Sequence, residues 1–215
     1  MIKEITSILV SIGGFLSYLS LPVVGKAIRS CRDKIYSGYL RRRFATIGDS
    51  YFLWHVHTLI GTEYISIGNH CTFESGLQLS AWKVGERQPK IVIGNHCLIR
   101  YNAHITATNS ITIGDNLLTG TNVFITDNSH GNTDKTILGI PPTERPLCSK
   151  GSVSIGSNVW LGNNVCVLPG VKIGDNSIIG ANSVVTKNIP ANAVAAGIPA
   201  KVIRLIDNNH ETLSL

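Results

Sequence analysis

An all-β solenoid is the fold class this sequence predicts, on three observations. The first is a six-residue clock: from Ile155 an aliphatic residue recurs at every sixth position, through Leu161, Val167, Ile173, Ile179 and Val185. The second is punctuation at the same period, since Gly156, Gly162, Gly174 and Gly180 directly follow four of these aliphatics. The third is a small or β-branched residue four places after the aliphatic, at Val159, Val165, Val171, Ser177 and Ser183. A fixed short period marks a repeat architecture, and six residues suit one short strand plus one turn. Three such sides close a triangular coil of about 18 residues with the aliphatics stacked inside. Ordinary strand alternation has a period of two and does not bring Gly back at six.

In chain order, residues 1–45 stand apart from the repeat as a helical, apolar segment. Ile5 to Gly25 carries no charge and is mostly Ile, Leu, Val and Ser, nearly long enough to span a bilayer. Gly13-Gly14, Pro22 and the serines weaken a spanning helix. The n-region is one Lys beside Glu4 and no A-x-A site follows, so a cleaved signal is not expected. A helical cap on the solenoid, an interfacial helix and a true span stay open. The basic residues Arg29, Arg32, Lys34 and Arg41-Arg42-Arg43 suit the second, a peripheral membrane contact through residues 5–43.

The solenoid domain is expected over 46–206, with repeats at about 47–79, 93–125 and 155–190 and a tail at 207–215. Upstream the clock runs through Ile47, Ile67, Phe73, Leu79, Ile93, Ile99 and Ile105, then resumes two residues late at Ile113. Asp49, Asn69, Asn95, Asp115, Asn116, Asn163, Asp175 and Asn176 sit just after the glycines. Asn and Asp tolerate left-handed backbone and bond their own turns, so these read as corners and not as a metal or catalytic cluster.

The 215 residues are 43% hydrophobic, enough for a substantial core. The net charge of +6 points to an anionic ligand or surface. The cations do not interleave with aromatics, and no nucleic-acid motif is present, so nucleic acid is not the expected partner. The five cysteines, Cys31, Cys71, Cys97, Cys148 and Cys166, include no CxxC; neither a disulfide framework nor a zinc cage is indicated, and a cytoplasmic location fits. Cys71 and Cys97 fall on small inward positions, as packing.

A solenoid carries its function where the repeat breaks. The larger break, 127–151, opens with Asp127-Asn128-Ser129-His130-Gly131 and continues through Pro141-Pro142, Glu144 and Arg145. Long ejected loops are usually functional, and histidine is the side chain best suited to take a proton near neutral pH. An exposed loop histidine without a role is the plain alternative.

From Ile111 to Ile206 the chain resembles the hexapeptide-repeat acyltransferases, in particular the galactoside, maltose, nodulation and polysaccharide O-acetyltransferases. The resemblance lies in Ile113-Gly114-Asp115-Asn116, the His130 loop, Ile155-Gly156-Ser157-Asn158-Val159-Trp160-Leu161-Gly162, Pro169-Gly170-Val171-Lys172-Ile173-Gly174 and Ala195-Ala196-Gly197-Ile198-Pro199-Ala200-Lys201. It implies a left-handed parallel β-helix, against the usual right-handed crossover, and a homotrimer with acetyl-CoA between neighbouring prisms. It further implies His130 as general base, Asn102 as an acceptor contact, and Asp127 either orienting the imidazole or shaping the turn. Trp160 is implied beside the histidine and the thioester, Asn163 and Ala181 along the pantetheine groove, and Thr186, Lys187, Lys201 and Arg204 at the nucleotide end.

The implied reaction is direct transfer of acetyl to a sugar hydroxyl in cell-surface polysaccharide or glycan, because no nucleophile for an acyl-enzyme stands in a marked context. No metal is expected. Serine O-acetyltransferase and amino-sugar N-acetyltransferase are rivals; the former carries a large N-terminal helical domain where this chain has about forty residues, and the latter often has a Rossmann-like N-terminal domain not expected here. A γ-class zinc carbonic anhydrase needs three converging histidines, whereas His96 and His104 stand eight apart and His130 has no other histidine within twenty residues. A non-catalytic solenoid is countered by the His130 loop and the C-terminal motif.

Overall fold

The computed structural model of the chain describes residues 22–54, 56–131 and 134–206, with Ser7 and Ser11 besides. The expectations for the uncharged stretch up to residue 21 and for the tail 207–215 lie outside these residues.

Helix α1 (Pro22–Arg41) precedes six coils of three strands each. Coil one holds β1 (Thr46–Ile47), β2 (Tyr51–Phe52) and β3 (Thr58–Ile60); coil two holds β4 (Ile65–Ile67), β5 (Thr72–Phe73) and β6 (Gln78–Ala81). Coil three holds β7 (Lys90–Ile93), β8 (Leu98–Ile99) and β9 (His104–Ala107), and coil four β10 (Ser110–Ile113), β11 (Leu118–Thr119) and β12 (Phe124–Thr126). A protruding loop follows, with the hairpin β13 (Asn128–His130) and β14 (Leu147–Ser149) and the short helix α2 (Lys135–Leu138). Coil five holds β15 (Val153–Ile155), β16 (Trp160–Leu161) and β17 (Cys166–Val167), and coil six β18 (Lys172–Ile173), β19 (Ile178–Ile179) and β20 (Val184–Val185). The chain ends on β21 (Ala193–Gly197) and β22 (Ala200–Leu205).

Strands of equal rank in successive coils pair in parallel and form the three faces of a prism: β1-β4-β7-β10-β15-β18, β2-β5-β8-β11-β16-β19-β21-β22, and β3-β6-β9-β12-β17-β20. The clock residues point inward as expected: Leu161, Val167, Ile179 and Val185 are wholly buried, and Ile99, Ile105 and Ile125 stack above them in register. The interruptions at 82–89 and 127–152 both leave at the corner between third and first faces, so the coil continues beneath each insertion.

The corners explain the recurrent Asn. Asn102, Asn122, Asn164 and Asn182 hold φ between 56° and 59°, and each amide donates to the next along one edge, at 2.9–3.2 Å. Asn116, Asn158, Asn176 and Asn192 form the same ladder on another edge. Left-handed backbone costs most residues about 1–2 kcal/mol, and Asn bears it best after Gly. On that second edge, His70 and His96 occupy the same conformation with ring centroids 4.9 Å apart. His96 is therefore at a corner and His104 on the third face.

Both ends of the prism are covered. At the start, Leu40 and Phe44 close the core, and Phe44, Phe52 and Phe73 stack at 5.5 and 4.7 Å. Ser37 of α1 donates to the Phe52 carbonyl and accepts from its N–H, and the Asp33 carboxylate accepts from the Trp54 N–H. Over 22–41 the helix is thus a cap that satisfies the free edge of β2. At the far end β22 folds back antiparallel on β21. Among the described residues no helix is long and apolar enough to cross a membrane.

Cys71 and Cys97 fill inward positions as expected, their thiols donating to the carbonyls of Gly94 and Gly114. The hydrogen bond with the Cys71 thiol, and then burial, push the Cys97 thiol up, away from the reactive thiolate.

Candidate active site

The third face presents two outward rows. Thr58, Gln78, His104 and Phe124 stand in register, each just before an inward aliphatic; Ile60, Ser80, Thr106 and Thr126 form the second row. All of these but Ile60 floor a hollow of about 630 Å³. Trp82 from the smaller insertion lines it, as do Asn128, Ser129, His130 and Leu147 of the hairpin. Hydroxyls take three of the four positions of the second row, at Ser80, Thr106 and Thr126, and all three are buried. The hollow suits a carbohydrate: hydroxyl and amide partners, with Trp82 and Phe124 as apolar surfaces for a sugar ring.

The hairpin sets the position of His130. Asn128 pairs with Ser149, Ser129 with Cys148 and His130 with Leu147. The excursion leaves the strand at Gly131, whose φ of +75° belongs to glycine. A Cβ there would meet Arg145 at 2.9 Å and Ile137 at 3.1 Å. Arg145 in turn donates to the carbonyls of Ile140 and Leu138, stapling the rest of the loop. His130 is exposed at the rim of the hollow. His104 lies on the floor, 5.0 Å from the Phe124 ring, and burial holds its imidazole below the ordinary histidine range.

Neither Asp127 nor Asn102 lines the hollow, and for Asp127 the structure fits the turn-shaping alternative. Asp127 is wholly buried. One carboxylate oxygen accepts from the Thr108 N–H at 2.8 Å and the Asn128 amide at 3.2 Å, and the other from the Asn109 N–H at 2.8 Å. Those bonds spend it on the corner from which the loop departs, and it does not face the hollow. Asn102 belongs to the corner ladder between second and third faces and does not line the hollow, because left-handed backbone turns it outward into that edge.

The expected coenzyme residues divide. Trp160, Asn163 and Ala181 do come together, lining a cleft of about 250 Å³ with Gly162, Gly180 and Ile178 at the second face and its corner. Trp160, Ile178, Val194 and Arg204 form one register row, spanning about 14 Å at strand spacing. Lys201 lies on the same terminal strand, opposite Ala196. Thr186 and Lys187 sit elsewhere, after β20 at the corner between third and first faces, which also carries the base of the His130 loop. Trp160 is not beside His130 within one chain, because one belongs to the second face and the other overhangs the third. Cys166 faces outward on the third face, where burial raises its thiol and argues against a nucleophile.

Gln78, Trp82 and Leu147 escaped sequence reasoning. The signal for Gln78 was present: it precedes the inward Leu79 as His104 precedes Ile105. Trp82 and Leu147 belong to insertions, whose folding back no periodicity reports.

Comparison with known proteins gives two family matches, "Bacterial transferase hexapeptide (six repeats)" over residues 152–187 and "Hexapeptide repeat of succinyl-transferase" over residues 90–127. A protein of Escherichia coli (strain K12) named as the lipopolysaccharide biosynthesis O-acetyl transferase WbbJ is 43% identical over 154 residues, 69% of this chain and 74% of its own. The galactoside O-acetyltransferase of the same strain is 42% identical over 113 residues, and the match spans only 50% of each chain. Among solved structures, a maltose O-acetyltransferase from Clostridium difficile 630 superposes with TM-score 0.51 at 29% identity, covering 78% of this chain and 73% of its own. AntD, an N-acyltransferase from Bacillus cereus, superposes with TM-score 0.64 at 17% identity over 80% of this chain and 89% of its own, a likeness of fold.

Proposed function

The chain belongs to the hexapeptide-repeat acetyltransferases, left-handed parallel β-helices, and we propose that it is an acetyl-CoA-dependent O-acetyltransferase acting on a sugar hydroxyl of a cell-surface polysaccharide or its precursor. The observation that carries this reading is the hairpin that sets His130 over the third-face hollow with its hydroxyl, amide and aromatic lining; the relative named for lipopolysaccharide biosynthesis supports the acceptor class.

The chemistry follows from that placement. A sugar hydroxyl is scarcely ionised near neutrality, so it needs a base at the moment of attack. The acceptor oxygen attacks the acetyl carbonyl carbon of the thioester while the His130 imidazole takes the hydroxyl proton. The tetrahedral intermediate collapses, the carbon–sulfur bond breaks, and the leaving thiolate recovers the proton from the imidazolium. Products are the acetyl ester and coenzyme A with its thiol. His104, whose imidazole burial biases toward the neutral form, can hold the acceptor through one hydrogen bond.

The second-face row from Trp160 to Arg204 fits an extended pantetheine, with Asn163 and Ala181 beside it and Lys201 and Arg204 toward the phosphates. Because Trp160 and His130 belong to different faces of one prism, the thioester reaches His130 only where a neighbouring copy contributes its second face. That supports a homotrimer with acetyl-CoA between prisms, Thr186 and Lys187 closing the groove from the copy that supplies the histidine. Residues 46–206 form the catalytic unit, and the protein works in the cytoplasm, at the inner face of the membrane, with contact through residues 5–43.

The test is His130→Ala, assayed with acetyl-CoA against a panel of sugars. Loss of transfer by about 10²–10⁴-fold with nearly unchanged acetyl-CoA affinity is expected. Activity within a few-fold of wild type would move the base to another residue, His104 first.

A further inference from the structure

Two hollows flank α1, and neither belongs to the third-face site. The first, of about 690 Å³, lies between the helix and the prism. Lys26, Arg29, Arg32 and Lys34 contribute four cations, and Tyr51, Trp54 and Tyr101 three aromatic rings. Of the cations, Arg32 is paired with Asp33 at 2.7 Å, whereas Lys26, Arg29 and Lys34 form no ion pair among the described residues. The second, of about 720 Å³, runs along the outer side of the helix and is almost wholly apolar, walled by Ile28, Cys31, Ile35, Tyr36 and Tyr39. Ile28, Ile35 and Tyr39 are 63%, 69% and 74% exposed, on a helix whose opposite side is docked through Asp33, Ser37 and Leu40. An exposed apolar stripe opposite a docked face is what a ligand or surface explains.

The two hollows meet at one wall. Arg32 and Trp54 line both, the guanidinium lying 5.6 Å from the indole centroid and Tyr36 packing edge-on to the same ring at 4.9 Å. The cationic hollow also reaches toward the active site. Tyr101 and Ser75 line it, and His104 and Gln78 of the third-face hollow follow each by three residues around one corner, a span of no more than about 11 Å. The cationic hollow and the apolar groove thus share a wall, and the sugar hollow lies across one corner from the cationic one, a series of three neighbouring hollows.

We propose that this series binds an acceptor sugar carried through a phosphate or diphosphate on a hydrocarbon tail. The sugar occupies the His130 hollow, the phosphate lies among Lys26, Arg29 and Lys34, and the tail runs along Ile28, Ile35 and Tyr39. Charge complementarity sets the order, since cations beside an apolar groove match an amphipath whose charge lies where its tail begins. The placing of the sugar rests on the reading of His130 given above; the phosphate and tail sites do not.

The test is calorimetric titration of the full chain with farnesyl diphosphate, inorganic diphosphate and farnesol. Farnesyl diphosphate is expected to bind at least about tenfold more tightly than either part. A Lys26→Gln, Arg29→Gln, Lys34→Gln variant is expected to lose that binding. An Ile35→Ser, Tyr39→Ser variant should bind farnesyl diphosphate no better than inorganic diphosphate. All five positions are on the surface of the helix, so folding is not at stake. No gain from the tail in the wild type overturns the proposal and leaves the groove to residues 1–21 or to a second copy. Binding of phosphatidylglycerol vesicles without preference for farnesyl diphosphate over farnesol overturns it in favour of a membrane-contact face. His130→Ala should bind farnesyl diphosphate as the wild type does, which separates the two readings. Tail-dependent binding lost with sugar acetylation intact removes only the lipid site; tail-dependent binding intact without any acetylation removes the transferase reading.

Discussion

Replacing Asp127 separates architecture from chemistry at the base of the His130 loop. The carboxylate is fully buried and accepts from two backbone N–H groups, of Thr108 and Asn109, and from the Asn128 amide. In Asp127→Ala those donors lose their acceptor. A buried donor left unsatisfied costs about 1–3 kcal/mol; Thr108 is buried and Asn109 half-buried, so the sum is about 2–4 kcal/mol. For a chain of this length each kcal/mol moves the melting midpoint by about 2–4 °C, which gives a drop of roughly 5–15 °C by circular dichroism. Asp127→Asn keeps one acceptor oxygen but aims an N–H at another N–H, and should fall between alanine and wild type. Because Asp127 anchors the strand that presents His130, kcat should fall too, by up to about 10²-fold from misplacement alone, with the pH profile unchanged. A variant that melts like wild type, yet loses transfer and shifts its pH profile, would refute the structural assignment and make Asp127 the partner that orients the imidazole.

Further outcomes follow from other positions. Lys201→Ala and Arg204→Ala should raise KM for acetyl-CoA while leaving kcat much less affected, because phosphate contacts are remote from the reacting carbon; equal loss in kcat would place them nearer the chemistry. Dephospho-coenzyme donors should be barely distinguished from the parent by whichever variant has lost the 3′-phosphate contact. His104 contributes a pH term to stability: burial lowers its pKa in the fold, so the unfolded chain binds the proton more readily, and stability falls as pH drops below about 6.5 through the folded value. His104→Gln should remove that component, read as a smaller loss of melting temperature between about pH 7.5 and about pH 5. At the corner, Asn122→Gly should be less destabilised than Asn122→Ala by about 1 kcal/mol in denaturant titration, since only glycine accepts the left-handed backbone without strain.

The repeat was legible because each hexad is a local statement. Ile105, Ile125 and Val167 stack without any chain segment having to find a distant partner, since every coil pairs with its neighbour in sequence. The Asn corners were legible for the same reason, their left-handed backbone being a property of single residues. The place of His130 at a break in the repeat was legible, and the resemblance to known acetyltransferases suggested the role proposed for it. Asp127 was ambiguous because a carboxylate three residues before a histidine suits an orienting pair and a turn equally; only the positions of the Thr108 and Asn109 amides decide.

Sequence alone determined the period, the inward residues, the corners, the place of the loop and the family, because these depend on neighbours within one coil or on motifs read in line. Tertiary structure decided which residues share a space. The insertion at 82–89 and the hairpin at 127–152 leave from one corner and bring Trp82, His130 and Leu147 over a floor drawn from four coils. It also put Trp160 and His130 on different faces, and it laid α1 across the start of the prism with its apolar stripe outward. The physical reason is the same in each case. A six-residue period specifies which side of the strand a residue takes, but an insertion's path and a helix's docking are set by contacts between segments far apart in the chain, which no periodicity encodes.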